Sequence, residues 1–469
     1  MKSRVVVVGA GVGGLIAALR LRKAGFDVRM IEARAEPGGL ASGVQCEDFS
    51  FDAGPYILLD RQGLDWAFER VGLRLETEVP LLLIGNIYQV ERQNHPPIRF
   101  YSDLEATAAG FESNWPGSGR KYRDFVGRME AIALRLRPLL ETTPNPLRVL
   151  RGGAWLYVPF LIKSLASVLR SANLPAPVSE AIAIWTHVAG QTTSEAPGPL
   201  AFVPAFMHTA GAYYPRNGIR EIPRVLARAA VEAGVRIQYS TRVRRIRSDD
   251  GKIMGVETDD GDFIDAAAVL SNTAALSTYL QLLDPPSSVM RRLEKLPLQS
   301  PGVCAYLAVQ GPDASFYLRF RLDEHNERCR LLIQPSGLGA NRLTPEAGWK
   351  PARLVAPMNY AKAEAAGHMG QLEYLDCLLD EGWWKEGLSS IRVLAKRTAH
   401  QWGSEYNLYA NSMNPVMTSR FMRQGRVAHR SPHVRGLYLA GSSTHPGQWV
   451  SFCAISGILA ADCLIEDFQ

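Results

Sequence analysis

One stretch, VVVVGAGVGGLIAALRLRKAGFDVRMIEA, Val5 to Ala33, constrains the fold more than any other part of the chain. Four consecutive valines read as a strand buried on both faces of a parallel sheet, and the apolar run Leu15 to Leu21 reads as a helix. The glycines between them therefore lie on a strand-to-helix turn. Gly9 permits the tight turn, Gly11 lets the backbone approach a phosphate, and Gly14 lets the helix pack closely on the strand, while the first helical amides face the anion. A second strand, DVRMIEA, ends in Glu32, close to the ~20 residues past the last glycine expected of a carboxylate that accepts ribose hydroxyls. Strand, helix, second strand and acid are all in place, so the pattern implies a dinucleotide site and not a bare glycine-rich turn. Glu32 would repel a 2′-phosphate.

A chain of 469 residues, 46% hydrophobic and 21% charged, is long enough for two or three domains and a substantial core. The net charge of +6 comes from scattered Lys and Arg, with no basic block of the kind that binds nucleic acid. Cys46, Cys304, Cys329, Cys377, Cys453 and Cys463 include no C-x-x-C pair, which argues against a metal cage or a disulfide framework and for reduced thiols in a cytoplasmic protein. Lys2 and Arg4 precede an apolar run, but Gly9, Gly11, Gly13 and Gly14 break it and no cleavage site follows, so a secretory signal is not expected.

No stretch reaches the ~18 apolar residues needed to span a bilayer. The nearest, GGAWLYVPFLI, continues into KSLASVLR, and Trp155, Val158, Ile162, Leu165 and Leu169 recur there at helical spacing. Two readings of residues 152–170 stand side by side. One is an interfacial helix facing the inner surface of a membrane; the other is a helix packed in the interior and kinked at Pro159.

Further along, Gly38 and Gly39 lead through alternating residues into Phe51-Asp52-Ala53-Gly54-Pro55, a second glycine-rich segment placed to return over the ligand. From about Leu83 to Thr209 the pattern is helical. Tyr213 to Asn272 returns to strands: an amphipathic helix ends at Gly234, and turns at Asp249-Asp250-Gly251 and Asp259-Asp260-Gly261 join alternating strands. Residues 273–424 look mixed, and the C-terminus reads as a strand, a glycine-rich loop and a final helix of small residues. The expectation is an α/β fold in which a Rossmann-like domain with a parallel sheet (1–82, 210–290 and 425–469) is interleaved with a mixed α+β substrate domain (83–209 and 291–424).

Taken together, these segments resemble the bacterial phytoene desaturase (carotenoid desaturase) family of the FAD-dependent amine oxidase and desaturase superfamily. The resemblance rests on GAGVGG, Glu32, Pro37-Gly38-Gly39, Phe51 to Pro55, Tyr214-Pro215-Arg216-Asn217-Gly218, Thr241-Arg242-Val243, Ser271-Asn272, Leu437 to Gly441 and Thr444-His445-Pro446-Gly447. It implies a glutathione-reductase-type fold and FAD as cofactor. Val12 and Gly13 would then meet the pyrophosphate, Glu32 and the adjoining Ala33 the adenosine ribose, and Gly38, Gly39 and Leu40 the phosphate and ribityl region. Val243 would contact the adenine by its backbone, Gly441 and Ser442 would close on the pyrophosphate, and Gly54, Pro55, Tyr56, Trp449 and Val450 would border the isoalloxazine. Only one dinucleotide fingerprint is present, so the flavin must be the redox centre. The family usually has Arg or Lys where this chain has Leu40, and Trp449 and Phe452 replace a more open loop.

A desaturase needs alignment, an apolar chamber and exclusion of water more than acid–base equipment. Two residues are nonetheless candidates for catalysis: His445, which the motif puts on the flavin loop, and Tyr214, at the entry to the returning strands. The expected function is desaturation of a lipophilic isoprenoid or polyene, by hydride transfer to flavin N5. The alternatives are oxidation of an amine or imine, a redox-neutral flavin isomerase or saturase, and a non-enzymatic lipid escort. An aromatic enclosure beside the flavin would favour the amine and a long apolar tunnel the polyene.

Overall fold

The computed structural model describes residues 3–92, 95–144, 154–323, 329–338 and 348–469. The four valines form the central strand of a five-stranded parallel sheet, Arg4–Val8, and Val5, Val6 and Val7 are wholly buried. Across the sheet the order is Leu437–Leu439, Ala268–Ser271, Arg4–Val8, Asp27–Ile31, Arg236–Gln238, every pair parallel. The chain leaves the central strand toward Asp27–Ile31 on one side, while Ala268–Ser271 lies on the other. A crevice therefore opens at the carboxyl ends of these strands, where the order reverses.

Helix Val12–Lys23 crosses from the central strand to its neighbour and packs against both helix Glu221–Glu232 and the C-terminal helix, Val450–Phe468. The last contact is backbone-close: a Cβ at Gly457 would collide with the carbonyl oxygen of Gly13. The small residues of the final helix are thus what let it lie directly on the glycine turn.

A seven-stranded mixed sheet stands apart, in the order Ser390–Arg397, Val303–Gln310, Lys350–Ala356, Cys329–Ile333, Leu318–Leu322, Asn86–Arg92, His95–Tyr101. Helices Ser118–Leu140, Ala176–Val188 and Phe202–Thr209 accompany it. A three-stranded antiparallel sheet, Val243–Asp249, Lys252–Thr258 and Phe263–Asp265, forms on the two expected Asp-Asp-Gly turns.

Two expectations are corrected. Residues 86–92 and 95–101 do not begin a helical region but pair as antiparallel strands, because Tyr88 and Val90 alternate inward against Ile98 and Phe100. Tyr88 and Phe100 stack with ring centroids 4.2 Å apart, and Asn86–Arg92 pairs in parallel with Leu318–Leu322. The other correction is the stretch 152–170, of which 152 and 153 lie outside the described residues. The rest is three short pieces, a 3-10 turn Ala154–Tyr157 and helices Val158–Leu161 and Leu165–Ala172. Ser164 breaks the run, its hydroxyl accepting a hydrogen bond from the Ser167 amide at 3.3 Å as an N-cap. The apolar stripe consequently divides: Leu165 and Leu169 are buried, whereas Trp155, Leu156, Val158 and Ile162 are exposed.

Candidate flavin and substrate site

One cavity of about 650 Å³ runs from the glycine turn into the region of the helices. At the turn, Gly9 adopts φ +95°, a conformation other residues rarely take, and the chain then enters helix Val12–Lys23 with no side chain capping its first amides. Those amides and the positive end of the helix are left for an anion. Gly9, Gly11, Val12 and Gly13 all line the cavity, together with Glu32 and Ala33. Gly14 does not. It faces inward, where a Cβ would meet Asn272 at 3.0 Å, consistent with its expected packing role.

Glu32 is buried, and its carboxylate is held from two sides: Oε2 accepts from the Ala10 amide at 2.6 Å and Oε1 from the Arg34 amide at 2.9 Å. Burial raises its pKa, while the backbone donors and the Arg34 charge oppose that rise. The second glycine segment returns as expected. Gly38 donates to the Ala10 carbonyl at 2.8 Å, and Gly38, Gly39, Leu40 and Val243 lie on the same wall, as do Gly441 and Ser442.

Asn272, at the carboxyl end of strand Ala268–Ser271, was visible in the sequence only as part of a two-residue motif. Its amide donates to the Val8 carbonyl at 2.8 Å, which brings its side chain into the middle of the glycines. A Cβ on Gly11 would stand 2.6 Å from Nδ2, and one on Gly13 would stand 2.6 Å from Oδ1. Oδ1 is buried without a hydrogen-bond partner among the described residues. The glycines thus make a cradle that accepts both a carboxamide and a phosphate chain. Free helix amides, the fixed carboxylate and an amide side chain with spare hydrogen-bonding capacity fit the pyrophosphate and ribose of FAD.

Farther along the cavity, Gly54, Pro55, Tyr56, Trp449 and Val450 share its wall. The segment carrying the first three is fixed by a residue the sequence reading overlooked. Arg353, buried on strand Lys350–Ala356, donates through Nη1 to the carbonyls of Asp52 and Ala53, and through Nη2 to that of Gly54 at 2.8 Å. Its guanidinium also lies 5.6 Å from the centre of the Tyr56 ring, and Tyr317 donates to the Tyr56 carbonyl. Trp449 stacks on Phe452 at 5.0 Å and meets Phe206 edge-on at 5.9 Å. Beyond these rings the wall is aliphatic, with Leu136, Leu140, Leu161, Leu200 and Val203.

The two candidate catalytic residues are not brought to this cavity. His445 is turned away, its Nε2 donating to the Leu139 carbonyl at 2.8 Å at the end of helix Ser118–Leu140. Burial pulls its pKa down to about 4, so the ring is neutral at pH 7 and acts as a tie between loop and helix. Tyr214 borders a separate void of about 20 Å³; its hydroxyl donates to Asp52 Oδ2 at 2.7 Å, and the Ile219 amide supports Oδ1 at 2.8 Å. Burial raises the pKa of the phenol well above its ordinary value. Both side chains brace segments of the cavity wall from behind. Cys453 lines the cavity as a neutral thiol, pushed by burial up to about 12.

Comparison with known proteins agrees with this geometry. Residues 7–68 match the family model of an NAD(P)-binding Rossmann-like domain, and residues 189–312 that of flavin-containing amine oxidoreductases. The chain is 29% identical to the zeta-carotene-forming phytoene desaturase of Myxococcus xanthus, over 98% of this chain and 94% of that protein. It is 27% identical to the hydroxyneurosporene desaturase of Cereibacter sphaeroides, covering 99% and 98%, and 23% identical to a 4,4′-diapolycopene oxygenase of Methylomonas, covering 99% of each. Among solved structures, an oxidoreductase from Methanosarcina mazei shares the fold with a TM-score of 0.65 at 18% identity, over 98% of this chain and 100% of that one. An engineered putrescine oxidase does so with a TM-score of 0.65 at 15% identity, over 99% of each. The cofactor of this chain is FAD, and along nearly its whole length the chain is similar to carotenoid desaturases, with a flavin-containing amine oxidoreductase segment at residues 189–312.

Proposed function

We propose that the protein is an FAD-dependent desaturase of a long, lipophilic isoprenoid or polyene, with residues 1–82, 210–290 and 425–469 holding the cofactor and residues 83–209 and 291–424 shaping the substrate side. The observation that carries this reading is the continuity of one cavity from the glycine turn to an aliphatic wall. When bound, FAD accepts a hydride from one carbon while the neighbouring carbon gives up a proton, and a C–C bond becomes a double bond. The chain's own work is to orient and to keep water out. Arg353 fixes the backbone of Asp52 to Gly54, Trp449 and Phe206 form an aromatic wall, and Leu136, Leu140 and Leu161 offer an apolar bed.

The rings of Trp449, Phe452 and Phe206 are the enclosure an amine site would show, but an amine is disfavoured by the charges of the cavity. Its carboxylates among the described residues are already engaged: Glu32 by two backbone amides, Asp60 by Arg137 at 2.6 Å, and Glu405 by Arg34 at 3.1 Å and by Arg397. Asp60 Oδ2 lacks a hydrogen-bond partner among the described residues, but the Asp60 charge is already matched by Arg137, so an ammonium group would find no unmatched counter-charge there.

The exposed side chains of Trp155, Leu156, Val158 and Ile162 sit on the same short segment as Leu161, which lines the cavity. This supports entry of substrate from a lipid surface, with Trp155 and Leu156, 53% and 59% exposed, resting in the interface. No helix among the described residues is long and apolar enough to cross a membrane. Anaerobic mixing with phytoene in liposomes tests the reaction: loss of oxidised-flavin absorbance with growth of a longer-conjugated product is expected, and a flavin that stays oxidised contradicts it.

A further inference from the structure

The cavity wall also carries a cation that neither the glycine turn nor the apolar bed explains. Arg426 follows helix Ser419–Gln424 and lines the cavity. Its Nη1 makes one long hydrogen bond, 3.4 Å to the Ser442 carbonyl, and its Nη2 lies against Gly447, where an added Cβ would stand 2.9 Å away. Among the described residues no carboxylate pairs with it, and the ionisable groups coupled to it, the Cys453 thiol and the His445 ring, are both neutral at pH 7. Of the other cations on this wall, Arg34 is committed to Glu405 and Arg353 to three carbonyls, while Arg242 stands at the far end, next to Thr241, whose amide donates to the Glu32 carbonyl at 3.0 Å. Burial lowers the guanidinium to about 10, which still leaves it protonated at pH 7. A cation kept in a largely apolar chamber without a counter-ion is costly, and such a group marks a place where negative charge arrives.

The location narrows which charge that is. Arg426 touches Gly447 and lies beside Cys453, the two ends of the segment that carries Trp449 and Val450. Helix Val450–Phe468 starts in this segment, with no side chain capping its first amides, and Val450 and Ser451 lie on the cavity wall. Its positive end and the guanidinium therefore act on one region, away from the first helix and the glycines that serve the pyrophosphate.

We propose that Arg426 is a charge-compensating residue of the flavin site: its guanidinium, unpaired before reaction, neutralises the negative charge that the isoalloxazine gains with a hydride. A hydride carries two electrons and one proton, so a ring that receives it without a further proton gains one negative charge. Arg426 stabilises that charge without transferring a proton. The inference rests on flavin binding in this cavity and is independent of which substrate is oxidised.

Sulfite tests it with no substrate present, because sulfite adds to oxidised flavin and leaves the ring negatively charged. In FAD-saturated protein, Arg426→Met is expected to weaken sulfite binding, read from flavin bleaching, by about tenfold or more, and Arg426→Lys to stay within about threefold of the unaltered protein. Should Arg426→Met not retain FAD, Arg426→Gln carries the same expectation. Unchanged sulfite affinity in the neutral variant overturns the proposal, as does a flavin in the unaltered protein that fails to react with sulfite. A fall in FAD affinity with sulfite affinity unchanged at saturation also overturns it, and would set the guanidinium against the pyrophosphate. A positive sulfite result beside a failed phytoene assay would leave Arg426 in its role and remove only the substrate.

Discussion

Asn272 shows how one side chain can give a glycine motif part of its purpose. The glycines leave space for its carboxamide as well as for phosphates, and its Oδ1 has no partner among the described residues. Asn272→Asp, nearly the same shape, would set a carboxylate beside the pyrophosphate and remove an amide donor. The FAD dissociation constant, measured by flavin fluorescence, should rise at least tenfold, on the order of one charge-assisted hydrogen bond; an unchanged constant would remove Asn272 from the site. His445 supplies a second prediction. Its folded pKa of about 4 lies below the unfolded value of 6.5, so the unfolded chain binds the extra proton first. The stabilisation is complete above pH 6.5 and is lost as pH falls toward 4, on the order of 3 kcal/mol at the limit. His445→Gln keeps an N–H for the Leu139 carbonyl and cannot titrate. Between pH 7 and pH 5 it should lose less unfolding free energy than the unaltered protein, since every other titrating group is common to both; equal losses would contradict the assignment. The sequence pointed to His445 and Tyr214 because their chemistry suits catalysis, but nothing local records that each is bonded to a distant segment, Leu139 in one case and Asp52 in the other. Arg353 and Arg426 escaped notice for the converse reason. They stand outside any motif, and only the fold brings them to the cavity wall.

Among elements, the glycine turn was legible because all its determinants are consecutive: buried valines, glycines, helix and acidic strand end within one short span. The strand pair 86–92 and 95–101 was not, since its stability comes from Leu318–Leu322, more than two hundred residues away. The segment 154–172 illustrates a third case. Its spacing is helical throughout, yet the Ser164 cap divides it, so Leu165 and Leu169 serve the core while Trp155 and Leu156 remain outside. Trp155→Glu together with Leu156→Glu should reduce co-sedimentation with anionic liposomes several-fold and leave the melting temperature within about 1 °C, because exposed positions contribute little to stability. Unaltered co-sedimentation would show that this patch is not the lipid contact. A large drop in melting temperature would show that the patch is packed.

At the scale of the whole molecule, the parallel sheet supplies a crevice at its reversal point, and the small-residue final helix closes over it. The seven-stranded sheet reaches the same crevice through Arg353, which ties strand Lys350–Ala356 to the Asp52–Gly54 segment on the cavity wall. The α/β class and the parallel sheet could be anticipated from periodicity, because the strands Arg4–Val8 and Ala268–Ser271 at its centre carry their own apolar runs. The mixed sheet could not, because its strands are scattered among helices and pair across long separations. The joined cavity is the property on which the functional account depends, and it is a property of neither half alone. Its most direct test is to mix anaerobic, FAD-loaded protein with phytoene in liposomes and follow flavin absorbance and product spectrum together. The account predicts bleaching of the flavin with appearance of a polyene of longer conjugation; a flavin that remains oxidised with phytoene but is bleached by simple amines would contradict it.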